Sequence, residues 1–296
     1  MTEKIIIPPI KCQGIKTKLV LWIKAIIPDN FNGYWIEPFM GSGVVAFNIM
    51  PKKAILADSN PHLINFYKAI QEEKINASIV KIFLENEGKI LEKTQGEYYY
   101  TVRQRFNEKL NPLDFLFLNR ACFNGMIRFN NKGYFNVPFC KKPQRFSKAY
   151  ITKICNQVQA LFSLLKMGNY EFICQDFSDT IAMAKDKDLI YCDPPYIDRY
   201  NDYYNGWQEK DEYKLSELLK SVKTNFIMST WHSNHYRENN YLSLIWSDYY
   251  CLTRQHFYHL GGKEINRNPM LEALITNFQT NYIEIHSSKS EQLSIF

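Results

Sequence analysis

Apolar residues in this chain fall into short runs of four to six, separated by longer stretches in which they recur every three or four positions. The clearest short run is Leu189-Ile190-Tyr191-Cys192, which predicts a buried strand. Tyr34–Phe39, Ala54–Asp58, Tyr170–Phe177, Asn225–Thr230 and Leu271–Phe278 read the same way. Helical spacing covers Leu19–Ile27, Val44–Met50, Leu63–Ala77, Ile79–Leu91, Phe115–Cys122, Ile151–Leu165 and Tyr213–Val222. Strands alternating with helices predict an α/β fold, in which ligands bind beyond the carboxyl ends of the strands.

Several of these strand ends carry chemistry. After Tyr34–Phe39 comes Gly41-Ser42-Gly43, then a helix, so backbone N–H groups lie open to a ligand. Gly41-x-Gly43-x-x-Ala46 fits the dinucleotide fingerprint, and the next strand ends in Asp58, which can take both hydroxyls of a ribose. These features suit NAD and S-adenosyl-L-methionine alike. Another strand ends in Asp176-Phe177, a carboxylate and ring that can receive an adenine's amino group and base.

The strand at Leu189 ends in Asp193-Pro194-Pro195-Tyr196. Two prolines cannot donate to a sheet ladder, so they stop the strand and stiffen the loop beyond it. Asp193 and the Pro194 carbonyl can both accept hydrogen bonds from one planar amino group. Held that way, the nitrogen lone pair turns toward an electrophile, while Tyr196 offers a face for a heterocycle. The string is similar to the catalytic motif of amino methyltransferases, which act on adenine N6, cytosine N4 or, in Asn forms, glutamine amides.

Charge adds a partner. The chain has 296 residues and a net charge of +6, but Phe115 to Tyr170 contains no Asp or Glu and nine of the 36 Lys and Arg. The other 27 basic residues face 30 acids, so the excess is local, as expected where a polyanion binds. Inside this stretch, residues 123–138 predict a hairpin turning at Asn131-Lys132-Gly133. Arg128 suits guanine O6 and N7, and Asn124 suits adenine or the backbone. Lys141, Lys142 and Arg145 come next, at the close spacing of phosphate contacts.

The remaining patterns bound the class. A hydrophobic content of 46% suits a globular chain, and no apolar run approaches the ~18 residues of a membrane span. Met1 to Pro9 lacks the form of a signal peptide, and seven cysteines without a Cys-x-x-Cys pair suit a reducing cytoplasm. The aromatic run Arg199–Trp207 reads as a mobile lid, and His256–Pro269 as a loop that touches phosphate.

Taken in order, these motifs resemble the Dam-like (class alpha, D12) DNA adenine-N6 methyltransferases over residues 7 to 278, most nearly those of the EcoRV modification type. Pro9-Ile10-Lys11-Cys12-Gln13-Gly14-Ile15-Lys16 is similar to the family's N-terminal cofactor motif, with Cys12 where the family usually has Trp and Ile15 where it has Gly. Pro38-Phe39-Met40-Gly41-Ser42-Gly43 matches its methionine-binding loop, and Asp58 its ribose acid. Leu118-Asn119-Arg120, Phe123-Asn124-Gly125, Arg128 and Phe135-Asn136-Val137-Pro138 match its DNA-reading hairpin, and Asp193 to Tyr196 its catalytic loop.

The resemblance implies a Rossmann-like, seven-stranded methyltransferase sheet formed by residues 1–65 and 166–296. A largely helical target-recognition domain containing the hairpin would be inserted at 66–165. It implies S-adenosyl-L-methionine held by Cys12, Lys16, Pro38, Phe39, Gly41, Ser42, Gly43, Asp58, Asp176, Phe177 and Asp193. Catalysis would fall to Asp193, Pro194, Pro195 and Tyr196. Duplex DNA would be held by Lys11, Arg120, Asn124, Arg128, Asn136, Pro138, Lys141, Lys142 and Arg145. The expected enzyme is a metal-free, cytoplasmic monomer of a restriction-modification system, methylating a flipped adenine in GATATC with overlap onto GATC. The rival readings are a cytosine-N4 methyltransferase, an NAD-dependent oxidoreductase built on the glycine loop, and a non-catalytic DNA-binding protein.

Overall fold

The computed structural model describes residues 4–197, 207–257 and 269–280. The expected lid residues 199–206 and loop residues 258–268 lie outside the described residues.

Seven strands form one mixed sheet: β1 (Trp35–Glu37), β2 (Lys53–Asp58), β3 (Asn169–Cys174), β4 (Leu189–Cys192), β5 (Asn225–Asn234), β6 (Tyr250–Phe257) and β7 (Pro269–Thr276). Their order is β3-β2-β1-β4-β5-β7-β6. The first five are parallel, and β7 enters antiparallel between β5 and β6. The seven-stranded sheet expected from the resemblance is therefore present. All four residues of β4 are buried, as a central parallel strand requires. The chain order reverses direction on either side of β1 and β4, opening a crevice at their carboxyl ends.

Helices α1 (Val20–Ala25), α2 (Ala46–Ile49), α3 (Pro61–Gln71), α4 (Ala77–Lys93), α5 (Tyr98–Lys109), α6 (Pro112–Ala121), α7 (Lys148–Leu165), α8 (Phe177–Ala182), α9 (Glu209–Ser221) and α10 (Tyr241–Leu244) complete the described elements. Asn60, Asn76, Asn111 and Ser147 cap α3, α4, α6 and α7 by accepting backbone N–H bonds, which places those helix starts. The helix expected at Val44–Met50 is only the single turn of α2, stopped by left-handed Met50.

Helices α4 to α7 lie between β2 and β3 in the chain. Their buried residues, including Leu84, Val102, Phe115 and Leu161, join Trp35, Leu56 and Tyr191 of the sheet in one hydrophobic core. A division at residue 65/66 runs through α3, which packs on both β2 and β3. The expected hairpin is pared to single bridges, Phe129 with Phe135 and Cys122 with Phe139. Its tip closes through Gly133 N–H to the Asn130 carbonyl (2.8 Å) and Asn130 N–H to the Tyr134 carbonyl (2.9 Å). Phe135 is buried against Phe106 of α5 as well as bridging to Phe129, so the aromatics anchor the loop. Among the described residues no helix is long and apolar enough to cross a membrane.

Candidate active site

The crevice at the carboxyl ends of β1, β2 and β4 holds a cleft whose empty volume, out to open solvent, is about 1320 Å³. Cys12, Lys16, Pro38, Phe39, Gly41, Ser42, Asp58, Asp176, Phe177 and Asp193 all line it, so ten positions from distant parts of the chain converge on one cavity.

Each is placed by local physics. Gly41 adopts φ +49°, a left-handed conformation, and open space lies where a side chain would project. Its N–H donates to Asp58 Oδ2 (2.9 Å), and Asn60 N–H donates to Asp58 Oδ1 (2.8 Å). Asp58 thus fastens the glycine loop to β2 while keeping lone pairs toward the cleft. Burial raises its carboxyl pKa, and the two N–H donors work against that. Gly43, expected beside Gly41 and Ser42, is not among the residues that line the cleft. A side chain there would collide with the Phe47 ring at 2.4 Å, so its glycine serves packing below the loop.

Phe39, Phe177 and Trp207 form an aromatic wall. Phe39 stacks on Phe177 with centroids 5.2 Å apart, and Trp207 meets both at 5.5 Å. Asp176 caps α8 by accepting from Ser178 N–H (3.0 Å) and pairs with Lys214 (3.1 Å), so its Oδ1 is already well occupied.

The catalytic-loop candidates gather on the other side of the cleft. Asp193 and Pro195 line it, Pro194 is buried behind them, and Tyr196 lies half-buried beside Lys16. Lys16 Nζ stands 2.7 Å from Asp193 Oδ1 and 4.7 Å from the centre of the Tyr196 ring, while also donating to the Gly14 carbonyl (3.1 Å). Only 4% of the Lys16 side chain is exposed. Burial pushes the Asp193 carboxyl upward and Lys16 pulls it back down. Beneath, Glu37 is buried with Trp35 Nε1 donating to its Oε2 (2.9 Å). Burial raises Glu37 to about 8 against that hydrogen bond, with the Asp193 charge adding to the rise.

Glu37, Asn60, Leu63, Trp207, Ile127 and Phe129 also line the cleft, although the motifs did not single them out. Trp207 ends the aromatic run that reads as a lid, the one local signal for it. Ile127 and Phe129 bring the hairpin to the cleft itself, and the Phe129 ring stacks on His62 at 4.8 Å. Burial holds His62 down at about 4, hence neutral.

The basic stretch divides into two kinds of residue. Asn124, Pro138, Lys141 and Lys142 are exposed, and Arg128, Asn136, Arg145 and Lys11 are half-buried. Arg128 Nε donates to Asn136 Oδ1 (2.9 Å) and Nη2 to the Asn136 carbonyl (3.3 Å), a two-point tether. Arg145 donates to the Arg120 carbonyl (2.7 Å) and the Tyr150 hydroxyl (2.8 Å), and the Lys11 ammonium reaches the same hydroxyl. Arg120 is a correction. It is 3% exposed, so it presents nothing to a polyanion. Its guanidinium donates to the Pro9 carbonyl (2.6 Å), Gln157 Oε1 and the Tyr150 hydroxyl (3.4 Å), which pins the N-terminal motif to α6 and α7. Asn119 does the same for Lys11, accepting from its N–H (2.8 Å) and donating to its carbonyl (2.9 Å).

The cleft thus brings together the Asp193 carboxylate, the backbone of the glycine loop and a ring wall, with the Tyr196 ring beside Lys16. Among the described residues no group of three or more His, Cys, Asp or Glu is placed to hold a metal.

Known proteins resemble this chain over most of its length. Residues 13–260 match the model of the D12 class N6 adenine-specific DNA methyltransferases. The chain is 30% identical over 292 residues to the Type II methyltransferase M.FokI of Planomicrobium okeanokoites, covering 95% of this chain but only 44% of that protein. It is 32% identical to the Retron Ec67 DNA adenine methylase of Escherichia coli, covering 71% of each chain. The DNA adenine methylase of Haemophilus influenzae is 32% identical over 77% of this chain and 79% of its own. The chain belongs to the D12 class of N6 adenine-specific DNA methyltransferases.

Proposed function

We propose that this protein binds S-adenosyl-L-methionine in the cleft and methylates N6 of an adenine swung out of duplex DNA. The donor set suits that cofactor. Asp58 offers a carboxylate to ribose hydroxyls, the Phe39–Phe177–Trp207 wall suits a purine, and the open backbone at Gly41 admits close approach. When bound, the cofactor supplies an electrophilic methyl group on a sulfonium.

The chain's own residues do the rest. Asp193 and the Pro194 carbonyl accept the two N6 hydrogens, which aligns the lone pair and offsets the positive charge that develops on nitrogen, and the surplus N6 proton then leaves to solvent. Tyr196 stacks the extruded base, compensating part of the few kcal/mol lost on unstacking. Lys16 holds Asp193 and Tyr196 in one geometry before DNA arrives. The observation that carries this reading is the Lys16–Asp193–Tyr196 cluster at a cleft that the glycine loop also lines.

The segment between β2 and β3 reads and holds the DNA. Arg128, Asn124 and the Asn136–Pro138 loop face bases, while Lys141, Lys142 and Arg145 track the backbone. The match to a Type II methyltransferase favours a modification enzyme of a restriction-modification system. A cytoplasmic monomer is the form we propose for it. GATATC is the target to test first. Digesting treated DNA to nucleosides should yield N6-methyldeoxyadenosine alone, and sequencing should place it in one motif. Methyl label on cytosine N4, or none in the presence of the donor, would overturn the proposal.

A further inference from the structure

A carboxylate in the middle of a sheet is costly to bury unless it is bonded. Glu272 sits in β7, between β5 and β6, with none of its surface exposed. The Tyr196 hydroxyl donates to its Oε2. Directly opposite Glu272 in the ladder is Trp231 of β5, whose Nε1 donates to the Ile197 carbonyl (3.3 Å). Two residues at one register of two neighbouring strands therefore grip the exit of the catalytic loop, one by the Tyr196 side chain and one by the Ile197 backbone.

We infer that Glu272 is a positioning residue for the methyl-transfer reaction, holding the Tyr196 ring in the plane on which the flipped adenine stacks. The inference rests on the proposed role of Tyr196. Lys16 lies over the face of that ring, whereas Glu272 holds its hydroxyl end, so the two contacts fix different degrees of freedom. Locking the hydroxyl sets the direction of the ring before the base arrives, so less order has to be created at the moment of reaction. Because Tyr196 meets the base only after extrusion, loosening it should act on turnover more than on DNA affinity.

The test compares Tyr196→Phe, Glu272→Ala, Glu272→Gln, the Tyr196→Phe/Glu272→Ala double variant and Tyr196→Ala. Assays would use a duplex with the cognate site, with 2-aminopurine at the target base as a separate probe. Tyr196→Phe and Glu272→Ala should each lower kcat about tenfold, the scale of one lost hydrogen bond to a charged group, with KM for DNA within about twofold. The double variant should be no slower than either single one, because both remove the same bond. Glu272→Gln, whose amide oxygen still accepts, should stay within about threefold of the parent. The 2-aminopurine signal of the flipped state should change in Tyr196→Phe and Glu272→Ala alike. Should Glu272→Ala fail to fold, Tyr196→Phe and Glu272→Gln still decide. Full turnover by Tyr196→Phe beside an inactive Tyr196→Ala would overturn the Glu272 role and leave the stacking role standing. Additive losses, or a Gln variant as slow as the Ala variant, would also overturn it. Full turnover by Tyr196→Ala would instead remove the stacking role on which the inference rests.

Discussion

Lys16 Nζ and Asp193 Oδ1 are 2.7 Å apart although they lie 177 positions apart in the chain, and they form the ion pair at the heart of the cleft. Burial raises the Asp193 carboxyl pKa, and the lysine counters part of that rise. In the proposed mechanism an ionised Asp193 accepts more strongly from N6 than a protonated one and offsets the charge developing there. Activity should therefore fall as pH drops through a value above the usual carboxylate range. In Lys16→Met the counter-charge is gone and the Asp193 pKa rises further, so the acid limb of the kcat profile should move to higher pH. An unchanged limb would show that another group controls it.

Glu37 gives a stability prediction of definite sign. Folded, it titrates at about 8, against the usual 4.5. Between those values the native state holds a proton that the unfolded state has lost, so raising the pH there lowers stability. The Tm of the parent should fall steadily from about pH 5 to 8, by several degrees. Glu37→Gln, which cannot ionise, should show a flatter curve and be the more stable of the two above pH 8. Parallel curves for the two proteins would show that Glu37 is not the titrating group.

Within the hairpin, Arg128 and Asn136 should behave as a unit. Arg128→Ala is expected to cost about 1–3 kcal/mol on the cognate site and much less on unrelated DNA. Asn136→Ala, which removes the side-chain half of the tether on the guanidinium, should reproduce much of that loss, and the double variant should be less than additive. Replacing Lys142 should instead weaken every duplex equally and make the salt slope shallower by about one. Titration of cognate and single-base variant duplexes at several salt concentrations separates these cases. An equal loss on all duplexes for Arg128→Ala would make it a phosphate clamp.

Arg120→Ala should act on the fold first. It strips the Pro9 carbonyl and Gln157 Oε1 of a buried donor, at about 1–3 kcal/mol for each group left unpaired. A drop of several degrees in Tm should accompany weaker cofactor binding, because Pro9 leads directly into Lys11–Lys16. Wild-type Tm with a uniform loss of DNA affinity would restore Arg120 to the DNA surface.

How far the sequence can be read depends on how local each signal is. The Leu189–Cys192 strand and the loop after it are legible because the apolar run, the prolines and Asp193 are adjacent. The glycine loop and Asp58 are legible for the same reason. Strand β6 is not, because Thr253, Arg254 and Gln255 interrupt its apolar pattern at the edge of the sheet. Helix α5 escapes the pattern because its exposed face is as polar as a loop. Arg120 reads as a DNA contact because it lies in the acid-free stretch, in a segment similar to the family's DNA-reading element, yet its partners are a carbonyl 111 positions upstream and Gln157, 37 downstream. Glu37, Trp207 and Phe129 carry no motif of their own, and only the folding of the chain brings them to the cleft.

Single-turnover methyl transfer by Asp193→Ala, measured with S-adenosyl-L-methionine on a cognate duplex alongside its DNA affinity, tests the proposed chemistry at its centre. In the proposed mechanism Asp193 acts on N6 only after the base leaves the stack. The variant should therefore form no detectable N6-methyladenine while its DNA binding stays within about threefold of the parent, the scale of one peripheral contact. Methyl transfer at the parental rate, or a folded variant that loses DNA affinity and activity in equal measure, would contradict it.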